Sequence, residues 1–261
     1  MSRTPAVTCV VCLHASASSG RQWRALKSQL AGRYQVIAPD LYGAGDVPPW
    51  AAERELSLAD EVALLAPAFE AAGESFHLVG HSYGGAVALR AALACPGRIR
   101  SLVLIEPVLF GLLLAEDPGQ PAAREIAGVR DDTTTAVRRG APECAAERFI
   151  DYWMGPGAWA NMPSTRRIAA AQAMSGVVGE WPAVFAETPP LSAYESLNIP
   201  TLYLVGSRSP ASAREVARLL AKGLPDVTTV EMEGAGHMAP ITHPDVVNVA
   251  IEAHIAFRMA A

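Results

Sequence analysis

The sequence predicts an α/β fold with a mostly parallel central sheet that is covered by helices on both faces. Two observations lead to this prediction. Short β-branched runs alternate with longer stretches of helical periodicity, which is typical of parallel strands joined by crossover helices. Several of the short runs are apolar throughout, as strands covered on both faces are. The 261 residues, 51 % of them hydrophobic, are enough for one sizeable core.

The first half of the chain supplies most of the predicted sheet. Apolar and β-branched runs predict strands at residues 6–13, 34–38, 76–80 and 101–105. Helical periodicity predicts helices at residues 19–31, 57–73 and 84–94. The helix that starts at Ser57 carries Asp60 three residues later, which is the spacing of a capping box, and it ends at Gly73.

The alternating pattern stops at about residue 107 and resumes at about residue 198. Between them Pro and Gly recur, no strand stands out, and aromatic residues cluster: Phe149, Tyr152, Trp153, Trp159, Trp181 and Phe185. We therefore predict a helical cap at residues 111–197, inserted into a core made of residues 1–110 and 198–261. The remaining core elements are predicted as strands at 199–205 and 227–232 and helices at 211–224 and 244–258.

A G-x-S-x-G motif, Gly80-His81-Ser82-Tyr83-Gly84, lies between the third predicted strand and the helix that follows it. A strand, a tight turn and a helix are the context that this motif requires. Glycines flank the serine because a strained turn leaves no room for neighbouring Cβ atoms. The N-terminus of the next helix favours developing negative charge. The motif therefore predicts Ser82 as a nucleophile.

The chain resembles the α/β-hydrolase superfamily over residues 6–110 and 198–258. Leu13-His14-Ala15-Ser16 stands where the family usually has His-Gly-x, with alanine in place of the glycine. The resemblance implies that the backbone N–H groups of Ser16 and Tyr83 form an oxyanion hole. Asp40-Leu41-Tyr42-Gly43-Ala44-Gly45 resembles the family's D-x-x-G-x-G turn, and we expect it to be structural. We give His14 no catalytic role.

The family order of nucleophile, acid and histidine implies a base downstream of Ser82, since a serine hydroxyl is a weak nucleophile without one. Three histidines qualify by order: His237, His243 and His254. His237 lies on a Gly-flanked loop after the last predicted strand, where the family places its base. His243 lies at the start of the last predicted helix and His254 lies inside it, so capping or surface roles suffice for both. We expect His237 to be the base.

The acid of the expected triad departs from the common family pattern. Most members carry it in a turn after the penultimate strand, where this chain reads Gly206-Ser207-Arg208-Ser209-Pro210. Glu106 offers a replacement, because some members take their acid from the end of the strand after the nucleophile helix. A carboxylate that ends an apolar run is costly unless it has a partner. The alternatives are an ion pair of Glu106 with an arginine such as Arg208, and a Ser-His dyad without an acid.

Ser82, His237 and Glu106, with two backbone amides, predict acyl transfer to water through an acyl-enzyme. A small, apolar ester or lactone is the expected substrate, and the cap is expected to select it. The same triad would serve a hydrolase of C–C bonds or a cofactor-free perhydrolase. Two further alternatives are a ligand receptor of the same fold without turnover and an inactive scaffold.

Composition restricts the expected partners. A net charge of −5 without a basic run does not indicate a nucleic acid or an anionic membrane, and no run approaches the roughly 20 apolar residues that span a bilayer. We therefore expect a small-molecule substrate, with no cofactor and no metal. The sequence does not indicate an oligomeric state.

Four cysteines, Cys9, Cys12, Cys95 and Cys144, are too scattered for a disulfide framework and fit a reducing cytoplasm. Cys9 and Cys12 form C-x-x-C within a predicted strand, where that spacing places the side chains on opposite faces. We expect buried small hydrophobes there instead of a redox or zinc pair. The alternative to a cytoplasmic location is a secretory signal, which Arg3, the apolar run at 6–13 and the small residues 15–17 loosely imitate.

Overall fold

The computed structural model describes residues 8–186 and 189–257. Within them, six strands form one sheet in the order β2-β1-β3-β4-β5-β6, and every neighbouring pair is parallel. The strands are β1 (Cys9–Leu13), β2 (Gln35–Ile37), β3 (Phe76–His81), β4 (Ile99–Ile105), β5 (Thr201–Gly206) and β6 (Val227–Met232). The predicted fold class is confirmed. Residues 6 and 7 of the first predicted strand lie outside the described residues.

Helices cover both faces of the sheet. Before β4 the chain forms α1 (Arg24–Leu30), α2 (Leu58–Leu64), α3 (Ala66–Ala72) and α4 (Tyr83–Ala94). A 3₁₀ turn at Gly20–Trp23 precedes α1. Five helices follow between β4 and β5: α5 (Phe110–Glu116), α6 (Pro121–Arg138), α7 (Pro142–Met154), α8 (Ser164–Ala186) and α9 (Leu191–Tyr194). The chain then forms α10 (Ala211–Gly223), α11 (Ala239–Thr242) and α12 (Pro244–Phe257).

The single helix predicted for residues 57–73 is wrong in one respect, because the structure divides it into α2 and α3 at Leu65. Pro67 lies in the first turn of α3, and a proline in the middle of one helix would remove a hydrogen bond and clash with the preceding turn. The predicted capping box is confirmed. Asp60 N–H donates to Ser57 Oγ at 3.3 Å, and Ser57 N–H donates to Asp60 Oδ2 at 3.0 Å.

Two apolar clusters pack on the two faces of the sheet. Cys9, Val11 and Leu13 belong to the cluster beneath α4, whereas Val10 and Cys12 belong to the one beneath α1 and α12. This alternation follows from the two-residue period of a strand. It confirms that Cys9 and Cys12 lie on opposite faces, and both are buried and outside any disulfide of the described chain.

The parallel strands bring their carboxyl ends to one edge of the sheet. The register pairs Leu13 with Gly80, His81 with Ile105, and Gly206 with Met232. Loops that leave this edge carry the residues that the sequence singles out. The helices α5–α9 join the cluster beneath α4 through Phe110, Trp153, Trp181, Phe185 and other apolar side chains. The division into core and cap at residues 110 and 198 stays a prediction.

Among the described residues, no helix combines the length and the apolar character needed to cross a bilayer.

Candidate active site

Ser82 lies on a strained turn between β3 and α4, with φ of 55° and ψ of −118°. Its N–H donates to Ile105 O at 2.9 Å, and its carbonyl accepts from Gly85 N–H at 2.9 Å at the start of α4. A Cβ atom on Gly80 would lie 2.4 Å from Gly84 O, and one on Gly84 would lie 2.5 Å from His14 O. Both distances are too short for any side chain, which explains why glycines flank this turn.

The structure brings together the three side chains predicted for the triad. Ser82 Oγ lies 2.9 Å from His237 Nε2, and His237 Nδ1 lies 2.6 Å from Glu106 Oε2. All three are buried, Glu106 to 1 % exposure and His237 to 2 %. A serine, a base that can accept its proton and a carboxylate that orients the base form a continuous chain of hydrogen bonds.

Glu106 is held in place by more than its histidine partner. Its Oε1 accepts from Gly206 N–H at 2.7 Å and from the Ser209 hydroxyl at 2.5 Å. Burial alone would raise the pKa of Glu106, but the hydrogen bonds from His237, Gly206 and Ser209 outweigh it, and this pKa lies below its usual value. The carboxylate is therefore charged at neutral pH.

The described structure shows no ion pair between Glu106 and Arg208, and the ionisable side chain in contact with Glu106 is His237. The turn at 206–209, where most family members carry their acid, instead supplies two of the donors to Glu106. Sequence reasoning missed this role of Ser209. Its signal was the presence of small hydrogen-bonding residues where a carboxylate was expected.

His81 is a second residue that the sequence analysis did not single out. Its side chain is fully buried, and its Nε2–H donates to His237 O at 2.8 Å. Its Nδ1 accepts from the Gln22 side-chain amide at 3.0 Å. Burial, reinforced by the neighbouring His237, lowers the pKa of His81 to about 3. His81 is thus a neutral side chain that fixes the loop carrying His237.

The two predicted oxyanion donors lie at the ends of adjoining loops. Tyr83 is the first residue of α4. Among the described residues, neither the Tyr83 N–H nor the Ser16 N–H donates to a backbone or side-chain acceptor. The neighbouring Ala15 N–H is occupied by Gln22 Oε1 at 3.1 Å. Gly84 N–H donates to His14 O at 3.0 Å and so ties the loop of Ser16 to the nucleophile turn. An oxyanion hole requires two amides without other acceptors that face the nucleophile. The assignment of Ser16 and Tyr83 to this role stays a prediction.

The remaining motif residues make local contacts. His14 donates from Nδ1 to Ala15 O at 2.8 Å and accepts from Leu41 N–H at 3.1 Å. Asp40 accepts from Gly20 N–H at 2.7 Å. His243 contacts Thr242 Oγ1 at 2.8 Å on the surface, and His254 contacts Pro200 O at 3.3 Å. The structure places none of these four side chains in hydrogen-bond contact with Ser82.

Two carboxyls, the buried Glu61 and the half-buried Glu180, contact the side chains of the residues predicted as oxyanion donors. The Tyr83 hydroxyl donates to Glu61 Oε1 at 3.1 Å, and the Ser16 hydroxyl donates to Glu180 Oε2 on α8. Burial raises the pKa of Glu61 to about 7 and the pKa of Glu180 to about 8. Near pH 7, Glu180 is therefore mainly a neutral acid, which would not oppose negative charge at the predicted oxyanion hole.

One cavity is adjacent to the predicted base, and a second lies beside Glu180. One of about 730 Å³ is lined by His237 together with Tyr152, Trp153, Met154, Arg208 and Met238, among others. Another of about 410 Å³ is lined by His14, Ala17, Tyr42, Trp50, Val177 and Glu180, among others. Residues of α7 line the larger cavity, and residues of α8 line the smaller one. Within the described residues, no group of three or more His, Cys, Asp or Glu side chains is arranged to hold a metal ion.

Trp153, near the end of α7, lies directly against the predicted base. Its ring stacks on the His237 imidazole with a centroid distance of 4.0 Å and an interplanar angle of 29°. The sequence placed Trp153 in an aromatic cluster without assigning it to the site. Only the fold shows that one member of this cluster stacks on the predicted base.

Known proteins resemble this chain over almost its whole length. A family model described as "Alpha/beta hydrolase family" matches residues 10–250. A pimeloyl-(acyl-carrier protein) methyl ester esterase from Aeromonas hydrophila is 30 % identical over 250 residues, which cover 90 % of this chain and 90 % of that protein. A putative carbamate hydrolase RutD from Azorhizobium caulinodans is 27 % identical over 87 % of this chain and 83 % of its own. A solved thermophilic esterase from Thermogutta terrifontis, 25 % identical, has a TM-score of 0.74 over 96 % of this chain and 90 % of that one.

Proposed function

The chain belongs to the alpha/beta hydrolase family, and from this premise we propose that it cleaves a small, apolar carboxylic ester or lactone through an acyl-enzyme on Ser82. Relatives named as esterases and hydrolases confirm the predicted class of ester hydrolase. The assignment of the triad is our own. The single observation that carries it is the chain of hydrogen bonds from Ser82 through His237 to Glu106, at 2.9 and 2.6 Å.

In the proposed acylation step, Ser82 Oγ attacks the carbonyl carbon of the ester. His237 Nε2 accepts the hydroxyl proton as the new C–O bond forms. The electron pair of the carbonyl moves onto its oxygen, which accepts hydrogen bonds from the N–H groups of Tyr83 and Ser16. Both donors are free of other acceptors in the described structure, so no hydrogen bond has to break first.

The tetrahedral intermediate then collapses. The leaving alkoxide takes the proton from His237 Nε2, and the acyl group stays on Ser82 as an ester. Water attacks this ester, with His237 again as base, and releases the carboxylic acid. Throughout, Glu106 holds the His237 Nδ1–H and stabilises the transient imidazolium, which requires the carboxylate to be ionised. The lowered pKa of Glu106 meets this requirement.

The smaller cavity favours an uncharged, mainly apolar part of the substrate, whereas the larger cavity, which His237 lines, also contains Arg148 and Arg208. The smaller one has no lysine or arginine among its described lining residues, and its carboxyl, Glu180, has a pKa raised to about 8 by burial. A substrate carboxylate would meet no cation there, and burying an unpaired charge is costly. The names of the relatives suggest two candidate groups for comparison, a methyl ester and a carbamate.

We keep the small-molecule substrate and the cytoplasmic location as parts of the proposal. The four cysteines form no disulfide in the described chain, which is the state that a reducing compartment maintains.

A chain-length series of p-nitrophenyl esters, from acetate to octanoate, tests the proposal. Wild type should show steady multiple turnover, and Ser82→Ala should show none. Ser28→Ala, at an exposed serine on α1, is the matched control and should behave as wild type. A fluorophosphonate probe, followed by intact mass spectrometry, should label wild type once and leave Ser82→Ala unmodified.

Labelling of Ser82 with one burst and retained product would support the ligand receptor instead. The absence of labelling in wild type would contradict the proposal and support the inactive scaffold. Adding hydrogen peroxide and acetate to wild type tests the perhydrolase alternative, because only that activity would produce peracetic acid.

A further inference from the structure

The stacked pair of Trp153 and His237 has a geometry that goes beyond packing. A centroid distance of 4.0 Å with a 29° angle places the face of the indole over the imidazole. Trp153 is 6 % exposed and His237 is 2 % exposed, so bulk water is excluded between them. The face of an indole carries the negative part of the ring quadrupole and attracts cations, more strongly where both partners are desolvated.

Packing, and not a hydrogen bond, sets the position of Trp153. Its indole N–H is buried and has no hydrogen-bond partner among the described residues. The ring instead contacts Phe110, Phe149 and Tyr152 at centroid distances between 4.9 and 6.3 Å. The Tyr152 hydroxyl lies 2.7 Å from Ser212 Oγ on α10, which fastens this end of α7 to the core. The indole is thereby held against His237 before any substrate binds.

We propose that Trp153 is a positioning residue that orients His237 and stabilises its protonated form by stacking, so that the cap raises the rate as well as enclosing the substrate. This inference rests on the proposed function, because it requires His237 to accept the proton of Ser82. The imidazolium then lies between two stabilising groups. Glu106 neutralises it in the ring plane through Nδ1, and Trp153 stabilises it from the ring face.

Other ionisable groups also face His237 and could influence a pH profile. Glu106 approaches from the end of β4, and His81 from the end of β3 with a centroid distance of 5.2 Å. The larger cavity adds six more: Glu125, Arg148, Asp151, Tyr152, Arg208 and His243. A substitution at Trp153 leaves the identity of all these groups unchanged and removes a ring contact with one of them, Tyr152. Because, among the described residues, only the ring of Trp153 stacks on His237, we assign a shift of the acidic midpoint to the stacked ring.

Two substitutions separate the aromatic face from the bulk of the side chain. Trp153→Phe keeps a ring face and loses the indole N–H, whereas Trp153→Leu keeps an apolar side chain without a face. Trp159→Leu is the matched control, because Trp159 is a buried tryptophan of the same helical insertion, at 8 % exposure, that stacks on no histidine among the described ring pairs. Each variant should be compared with wild type in kcat and KM for the best p-nitrophenyl ester, from pH 5 to 9.

For Trp153→Leu we expect kcat to fall roughly tenfold with KM within about twofold, as expected for loss of a desolvated cation–π contact. The acidic midpoint of the kcat/KM profile should move down by about one pH unit, since a tenfold preference for the protonated ring corresponds to one unit. Trp153→Phe should show a smaller loss, and Trp159→Leu should keep the wild-type profile.

The rate of fluorophosphonate inactivation across the same pH range provides a second readout that needs no ester turnover. A merely structural role for Trp153 would lower the thermal midpoint without moving the acidic midpoint. An unchanged or raised acidic midpoint in Trp153→Leu, or a loss confined to KM, would overturn the inference. If wild type reacts with neither esters nor the probe, the proposed function itself fails, which is a distinguishable result.

Discussion

Replacing Glu106 with glutamine is the sharpest test of the proposed triad, because the surrounding hydrogen bonds decide how the new amide must orient. Glu106 Oε1 accepts from two donors, Gly206 N–H and the Ser209 hydroxyl. The glutamine oxygen must occupy that side, since an NH₂ group there would face the backbone N–H. The NH₂ group is then directed at His237 Nδ1.

This orientation reverses the tautomer of His237. With an NH₂ group opposite it, Nδ1 must accept a hydrogen bond, and the ring proton moves to Nε2. Nε2 lies 2.9 Å from Ser82 Oγ and can no longer accept the proton of the hydroxyl. An asparagine in place of the acid in a serine protease triad reduces kcat by about 10⁴-fold for this reason. We therefore expect a drop of about 10⁴-fold, close to 5.5 kcal/mol in the activation free energy.

The assay is steady-state hydrolysis of the best p-nitrophenyl ester at pH 7, with the free energy of unfolding measured in urea. Glu147→Gln, at an exposed position on α7, is the matched control and should keep wild-type kcat. Ser209→Ala removes one donor to Glu106 but leaves the carboxylate, so its loss of kcat should be far smaller. A Glu106→Gln enzyme with near-normal kcat and unchanged stability would refute this reasoning and favour the Ser-His dyad.

Three predictions concern stability. Ser57→Ala removes the capping box of α2 and should lower the free energy of unfolding by about 1 kcal/mol in urea titrations, whereas an unchanged value would show that the cap contributes nothing. Gly84→Ala places a Cβ atom 2.5 Å from the backbone oxygen of His14 and should lower the thermal midpoint by several degrees and abolish activity; a fully active variant would contradict the required close approach. Glu61 has a pKa raised to about 7 from 4.5, so its neutral form is favoured by folding, and its stabilising contribution is lost as pH rises from 4.5 to 7. Between pH 4.5 and 7, the free energy of unfolding should therefore fall by up to about 3 kcal/mol more in wild type than in Glu61→Gln. If the free energy of unfolding has the same pH dependence in both proteins, the raised pKa of Glu61 is refuted.

Local sequence features determined most of the fold. Apolar runs and helical periods identified the strands and most helices because burial acts on neighbouring residues at fixed spacing. The capping box at Ser57 and the glycines around Ser82 were also readable, since each reflects a contact within a few residues. The division between α2 and α3 at Leu65 could have been predicted as well, because Pro67 was visible in the sequence.

The composition of the site depended on contacts that the sequence could only suggest. His237 lies 131 positions after Glu106 and 155 after Ser82. Chain order and resemblance suggested this set of three, but left Glu106 with a competing ion pair to Arg208. Only the alignment of the carboxyl ends of β4, β5 and β6 at one sheet edge placed Glu106 beside His237.

The supporting residues were decided by the tertiary structure alone. His81 reads as a variable position of the motif, Ser209 as part of a loop, and Trp153 as one aromatic among several in the cap. Each acts through a partner more than 80 positions away, at His237 or Glu106. Periodicity and capping report only on residues close in the chain, whereas the orientation of a base depends on which distant side chains the packed sheet and cap bring within a few ångströms of it.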